Sequence, residues 1–277
     1  MFSLLSDPWV PVTWNDGTKE LVSLSAILEN LSKIDDITGN PLVRLSILRL
    51  LLAISSTPYS PIDYPDLFNL YGEGENTGFL QVKGVPESSA KSAWSVCAMA
   101  DGNNAALNPN VDPGGHKETA WALLVAFFCD RGGLKANMPG VSRSARKPLH
   151  MGRITAFKEW SNLAEFIEFN KVEDSDWLPW WVRPLDFSEP YSGSQAHLLL
   201  WPWRRITVFR PGWLAIAAGS DLPDADDPFT VAYASLKRLR GDFSKVEILP
   251  GTYDFTGVAL NQASPLACRQ WRQTIET

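Results

Sequence analysis

Residues Ala120–Cys129 form an unbroken run of ten apolar side chains, Ala-Trp-Ala-Leu-Leu-Val-Ala-Phe-Phe-Cys. Strands usually span about 4–8 residues and a membrane helix needs about 20, so this length reads as a helix. The segment Glu118–Asp130 is therefore predicted as a helix with apolar side chains on every face. Such a helix can be stable in water only inside a large core. The rest of the chain can supply one: it has 277 residues, 45 % hydrophobic and 20 % charged. A chain of that size buries about 70–75 % of the surface its unfolded form exposes and needs no covalent staples.

A second apolar helix is predicted to open at Pro41, because Leu42, Leu45, Leu48 and Leu52 recur at helical spacing and Pro58 lies beyond its end. Leu50, Leu51 and Ile54 widen its apolar face. Before it, residues 4–14 alternate loosely and meet Asn15-Asp16-Gly17, a hairpin signal. Phe79–Gly84 reads as a short strand closed by glycine. Ile154–Phe169 reads as an amphipathic helix through Phe157, Trp160, Ala164 and Ile167. His197–Arg210 reads as a strand that turns at Arg210-Pro211-Gly212-Trp213, with Pro then Gly in type II order, and returns over Trp213–Ala217. Asp221–Asp227 is a predicted surface loop, and Pro228–Arg240 a predicted helix ending in Lys237, Arg238 and Arg240. No internal repeat or linker divides the chain. The expected fold class is α+β, a single irregular mixed domain.

The three cysteines, Cys97, Cys129 and Cys268, lie far apart and form neither a disulfide framework nor a CxxC pair. That usage suits a reducing cytosol. The start, Met1-Phe2-Ser3-Leu4-Leu5-Ser6-Asp7-Pro8, lacks the basic segment of a signal peptide. A soluble, cytoplasmic chain without a membrane partner is expected.

The formal net charge of −6 argues against a generic nucleic-acid binder, but the average hides a segregation. Arg131, Lys135, Arg143, Arg146, Lys147, Arg153 and Lys158 fall in one stretch that holds no Asp or Glu. A basic block on an acidic protein can focus potential on a polyanion, although a solvated loop has the same composition. Gly132, Gly133, Pro139, Gly140 and Pro148 break this stretch into an irregular segment. Ahead of the apolar helix, Ala100–Gly115 is a loop crowded with Asn, Gly and Pro. Its Asn103, Asn104 and Asn108 carry amides able to read base edges, and they are equally good turn formers.

Signals for catalysis are poor. His116, His150 and His197 show no HExxH spacing, and no GxSxG, phosphate-binding or dinucleotide-binding glycine motif is present. No metal, cofactor or catalytic residue is therefore assigned. Cys97, with His116 as base, is the one conceivable nucleophile, but a lone cysteine between Val96 and Ala98 reads better as a small core hydrophobe. Trp160, Trp180, Trp181, Trp201 and Trp203 could stack on sugars or bases, but filling the core of an irregular domain is the stronger reading of a chain with twelve tryptophans.

Four segments together resemble one family. Leu4-Leu5-Ser6-Asp7-Pro8-Trp9-Val10-Pro11-Val12 resembles the opening of the CasA family, the large subunit of the type I-E CRISPR Cascade complex. Phe79-Leu80-Gln81-Val82-Lys83-Gly84-Val85 is similar to its Gln-x-Lys-Gly segment. Trp201-Pro202-Trp203-Arg204-Arg205-Ile206 is similar to its Trp-Gln-x-Arg-Arg-Ile strand, and Asn261-Gln262-Ala263-Ser264 to a tail motif of its N-terminal domain.

The resemblance implies a non-catalytic subunit that recognises a protospacer-adjacent motif in double-stranded DNA and initiates strand separation, with sequence specificity left to guide pairing. The implied partners are the guide CRISPR RNA, target DNA, the backbone and small Cascade subunits, and a nuclease or helicase-nuclease. It places Asn103, Asn104 and Asn108 in a loop that docks on the guide RNA end. It places Lys135, Asn137, Gly140, Arg143, Arg146 and Lys147 against DNA, and Asn261 and Gln262 in a wedge beneath the motif. Family members carry a C-terminal four-helix bundle, which is expected to be absent from residues 1–277. They also carry a lysine on the loop after the Trp-Arg-Arg strand. Here that loop, Asp221–Asp227, has none, so the lysine is absent or supplied from elsewhere, with Lys237 and Arg238 as candidates. The rival reading is an interaction-only scaffold of the same complex.

Overall fold

The computed structural model describes residues 1–39, 41–73, 77–100, 112–129, 133–145, 154–158, 160–172, 177–225, 229–232 and 252–254. In chain order the elements are β1 (Val10–Trp14), β2 (Lys19–Val22), α1 (Leu24–Glu29), β3 (Ile34–Ile37), α2 (Pro41–Ser55), β4 (Lys91–Ser92), α3 (Ala93–Ala100), α4 (His116–Cys129), β5 (Gly133–Leu134), β6 (Ser144–Ala145), β7 (Ile154–Lys158), α5 (Leu163–Asn170), α6 (Gln195–Leu199), β8 (Arg204–Arg210), β9 (Trp213–Ala218), β10 (Thr230–Ala232) and β11 (Thr252–Asp254). The strands make small antiparallel sheets, in the orders β2-β1-β3, β4-β9-β8, β10-β7-β11 and β5-β6. The α+β expectation holds.

The two apolar helices form the centre. In α4 every residue from Thr119 to Cys129 except Trp121 is buried, and α2 is buried around most of its circumference. They pack against each other, with α3 and β8 also against α4. Around them the predicted hairpin is present: β1 pairs with β2 from Val10 opposite Val22 to Thr13 opposite Lys19. Its turn is held by the Asp16 carboxylate, which accepts from the Thr18 amide at 2.9 Å.

The tryptophans explain how so irregular a chain stays packed. Each indole buries a large apolar ring while its N–H needs an acceptor. For six of them the acceptors are backbone carbonyls of loops and element ends. Trp9 donates to Leu4 at 2.8 Å, Trp121 to Trp9 at 2.9 Å and Trp180 to Leu200 at 2.7 Å. Trp181 donates to Tyr59 and Trp201 to Asp221, both at 2.9 Å, and Trp203 donates to Phe127. Trp180, Trp181, Trp201 and Trp203 are all buried. They serve the core and offer no open stacking platform.

Four sequence expectations fail locally. Phe79–Gly84 is a turn and coil: the Gln81 amide closes back on the Gly78 carbonyl at 3.1 Å, and Leu80 takes a positive φ of 53°. Ile154–Phe169 is not one helix. β7 occupies 154–158 between β10 and β11, and α5 begins only at Leu163. The break is written in caps. The Asn162 side chain accepts from the Glu165 amide at 3.1 Å, and Ser161 donates to the Glu165 carboxylate through its amide (3.0 Å) and hydroxyl (2.6 Å). His197–Arg210 divides into α6 and β8, because Ser194 caps the amide of His197 at 2.9 Å and starts a helix there. In Pro228–Arg240, Thr230–Ala232 is a strand pairing with β7, and residues 233–240 lie outside the described residues.

Candidate nucleic-acid interface

Between Gly133 and Ala145 the basic segment is built as a hairpin. β5 and β6 pair with Gly133 opposite Ala145 and Leu134 opposite Ser144, and the Lys135 amide donates to the Arg143 carbonyl at 2.8 Å. A second bridge joins Met138 and Val141 around the tip. There the Val141 amide donates to the Met138 carbonyl at 3.0 Å, with Pro139 and Gly140 between them and Gly140 at φ +73°. Pro then a left-handed Gly is what a type II turn requires.

The hairpin is seated, not free-standing. The Ala136 amide donates to the Ile216 carbonyl of β9 at 3.0 Å. Ala136 and Met138 pack on Val85, Ala215 and Ala217, together with Val82 and Phe209. Anchoring Ala136 and Met138 leaves the residue between them, Asn137, on the outside. Asn137, Gly140 and Arg143 are exposed and Lys135 is half-buried. The structure thus brings Lys135, Asn137, Gly140 and Arg143 onto one projecting turn. Arg146, Lys147, Asn261 and Gln262 lie outside the described residues, as do Asn103, Asn104 and Asn108.

The exit of the asparagine loop is described, and it is held firmly. The Gly114 amide donates to the Asp112 carboxylate and the Gly115 amide to the Glu118 carboxylate, both at 2.9 Å. The β8–β9 turn presses on this stem. A methyl group at Gly212 would lie 2.5 Å from the Gly114 carbonyl oxygen, and the Gly212 amide donates to the Thr119 hydroxyl at 2.6 Å. His116 stacks on Phe2 with ring centres 4.9 Å apart, and its Nδ1 is 2.7 Å from the Tyr71 hydroxyl. Burial pushes that phenol up to about 12, against the opposing effect of a Thr119 hydrogen bond. Residues 112–115 are therefore fixed against α4 and the β8–β9 turn.

Gln81 and Lys83 carry the Gln-x-Lys-Gly resemblance, but their structural roles could not be read from the strand expected there. Gln81 is 5 % exposed and spans two elements: its amide nitrogen donates to the Leu70 carbonyl at 2.8 Å and its oxygen accepts from the Val208 amide at 2.8 Å. Lys83 is exposed on the loop that borders the basic hairpin. Cys97, the conceivable nucleophile, is half-buried against the apolar core. Among the described residues no group of three His, Cys, Asp or Glu side chains is arranged to hold a metal, and no helix is long and apolar enough to cross a membrane.

Residues 3–76 match the family model of the CRISPR-associated protein Cse1. No curated protein matches the sequence. Among solved structures, Thermus thermophilus CasA (Cse1) is similar over 83 % of this chain and 57 % of its own, with 22 % identity and a TM-score of 0.65. Thermobifida fusca Cse1 is similar over 80 % of this chain and 52 % of its own, with 23 % identity and a TM-score of 0.62. A chain of a CRISPR RNA-guided surveillance complex in a pre-nicking state is similar over 91 % of this chain and 60 % of its own, with 15 % identity and a TM-score of 0.65. The chain thus spans between half and two thirds of the length of these relatives. Its residues 3–76 match the Cse1 family model in sequence, and its fold is that of the Cse1 (CasA) structures.

Proposed function

We propose that this chain is a subunit of an RNA-guided CRISPR surveillance complex, and that its Gly133–Ala145 hairpin recognises a protospacer-adjacent motif in duplex DNA where strand separation begins. The observation that carries this reading is the seated hairpin, whose turn presents Lys135, Asn137, Gly140 and Arg143 from a segment free of acids. Each residue type has a chemical task. Lys135 and Arg143 can neutralise phosphates, which supplies affinity but no sequence information. The Asn137 amide offers both a donor and an acceptor, which suits a base edge. Gly140 lets the backbone approach a groove without a side chain in the way.

The loop at 101–111, with Asn103, Asn104 and Asn108, is proposed to dock on the guide RNA end and the neighbouring subunits, and Gln262 beside Asn261 to act as the wedge. The similarity to a chain of a CRISPR RNA-guided surveillance complex supports this setting. No bond-making step falls to the chain in this reading, and a nuclease or helicase-nuclease would cut the DNA. The test is a salt titration of target binding by the assembled complex carrying Arg143→Ala, Arg146→Ala and Lys147→Ala together. Each lost phosphate contact lowers the slope of log K against log salt by about 0.9 for duplex DNA. A slope that stays at the wild-type value overturns the reading and leaves an interaction-only scaffold.

A further inference from the structure

We infer that Lys83 is a phosphate-binding residue of this interface, holding the backbone of the DNA duplex beside the hairpin tip; the inference rests on the function proposed above. The basic segment ends at Lys158 and begins at Arg131, so Lys83 lies about 50 residues away in sequence. In space the two loops share one seat. Val82 and the hairpin residues Ala136 and Met138 pack on the same small apolar surface of Val85, Ala215 and Ala217. On each loop the residue next to the anchor points away: Lys83 follows Val82, and Asn137 follows Ala136, and both are exposed.

The anchoring of Lys83 is tight on both sides. The Val82 amide donates to the Ile206 carbonyl at 2.9 Å, and the Thr207 hydroxyl donates to the Val82 carbonyl at 2.5 Å. Behind it, Gly84 has φ +92°, and a methyl group there would stand 3.2 Å from the Met138 terminal methyl. A residue with a side chain would be strained at that φ and would crowd the Met138 side chain. The pair Lys83-Gly84 therefore reads as one device: the glycine takes the left-handed turn beside Met138, and the lysine is an exposed cation on a loop that shares the hairpin's apolar seat. A lysine is suited to a phosphate as a mobile point charge on a long stem.

The experiment uses the assembled complex with its guide RNA and a labelled duplex carrying the matching protospacer and motif. Affinity is measured between about 50 and 200 mM salt for wild type, Lys83→Gln, Lys83→Arg, Arg143→Ala and Lys33→Gln. Lys33 lies on the turn at Leu31–Lys33, in the part of the chain next to β3, and serves as a surface-charge control. The expected result is a slope lower by about 0.9 for Lys83→Gln, so that its deficit relative to wild type shrinks about threefold across that range. Lys83→Arg should keep the wild-type slope, and so should Lys33→Gln. If Lys83→Gln keeps the wild-type slope while Arg143→Ala lowers it, the inference fails and the proposed function stands. If neither variant lowers the slope, both fail. A loss confined to free guide RNA binding, with the duplex slope unchanged, also overturns the inference.

Discussion

Gln81 shows what a single buried amide can replace. Its segment has the composition of a strand, yet at Gln81 the backbone amide turns back to the Gly78 carbonyl, and it is the neighbouring Val82 amide that bonds to Ile206 of β8. At Gln81 itself the side chain does the pairing, donating to Leu70 and accepting from Val208 at 2.8 Å each. Gln81→Ala would leave a buried carbonyl and a buried amide without partners, at about 1–3 kcal/mol each. Thermal or denaturant unfolding should therefore show a loss of about 2–6 kcal/mol, whereas an ordinary surface glutamine would cost almost nothing. Gln81→Glu should also destabilise, because an ionised carboxylate cannot donate to Leu70. The sequence showed that residues 79–84 matter, through their family-like pattern. It could not show why, because side chain and backbone can exchange hydrogen-bonding roles without changing composition.

At the scale of elements, the long apolar signals were legible and the short ones were not. Ala120–Cys129 and the leucines after Pro41 each repeat over several turns, so no local interaction can outvote them. Ile154–Phe169 had four apolar matches to a helix, but one capping network at Ser161, Asn162 and Glu165 cut it in two. Ser194 did the same to the strand expected from His197. A related device closes α4. Burial pushes the Glu118 carboxyl up, but hydrogen bonds from its own and the Gly115 backbone amides, with Lys117 beside it, outweigh that and hold it below its ordinary value. A lowered folded-state value means that the stabilising contribution is present above the ordinary carboxylate range and is lost as pH falls through the lowered one. Glu118→Gln should therefore narrow the difference in melting temperature between neutral pH and about pH 3. Parallel acid limbs for variant and wild type would show that Glu118 does not hold the stem of the asparagine loop.

Across the whole molecule, a net charge of −6 coexists with one acid-free basic segment. The hairpin is lifted on a small apolar seat contributed by β9 and the Val82–Val85 loop. Its charge pattern was visible in the sequence, and so were Lys135, Asn137, Gly140 and Arg143 as members of one turn-rich segment. The neighbouring Lys83 was not assigned to it, because only the tertiary packing of Val82, Ala136 and Met138 on one apolar seat brings the two loops together. If the chain reads the motif as proposed, discrimination between duplexes depends on its presence. The most direct measurement compares duplexes that differ only in that motif, bound by complexes assembled with and without the chain. With the chain present, affinity for the motif-bearing duplex should exceed that for the scrambled one. With it omitted, the two affinities should become equal while pairing of the guide to a pre-melted target survives. Undiminished discrimination between the two duplexes in the complex that lacks the chain would show that another subunit reads the motif.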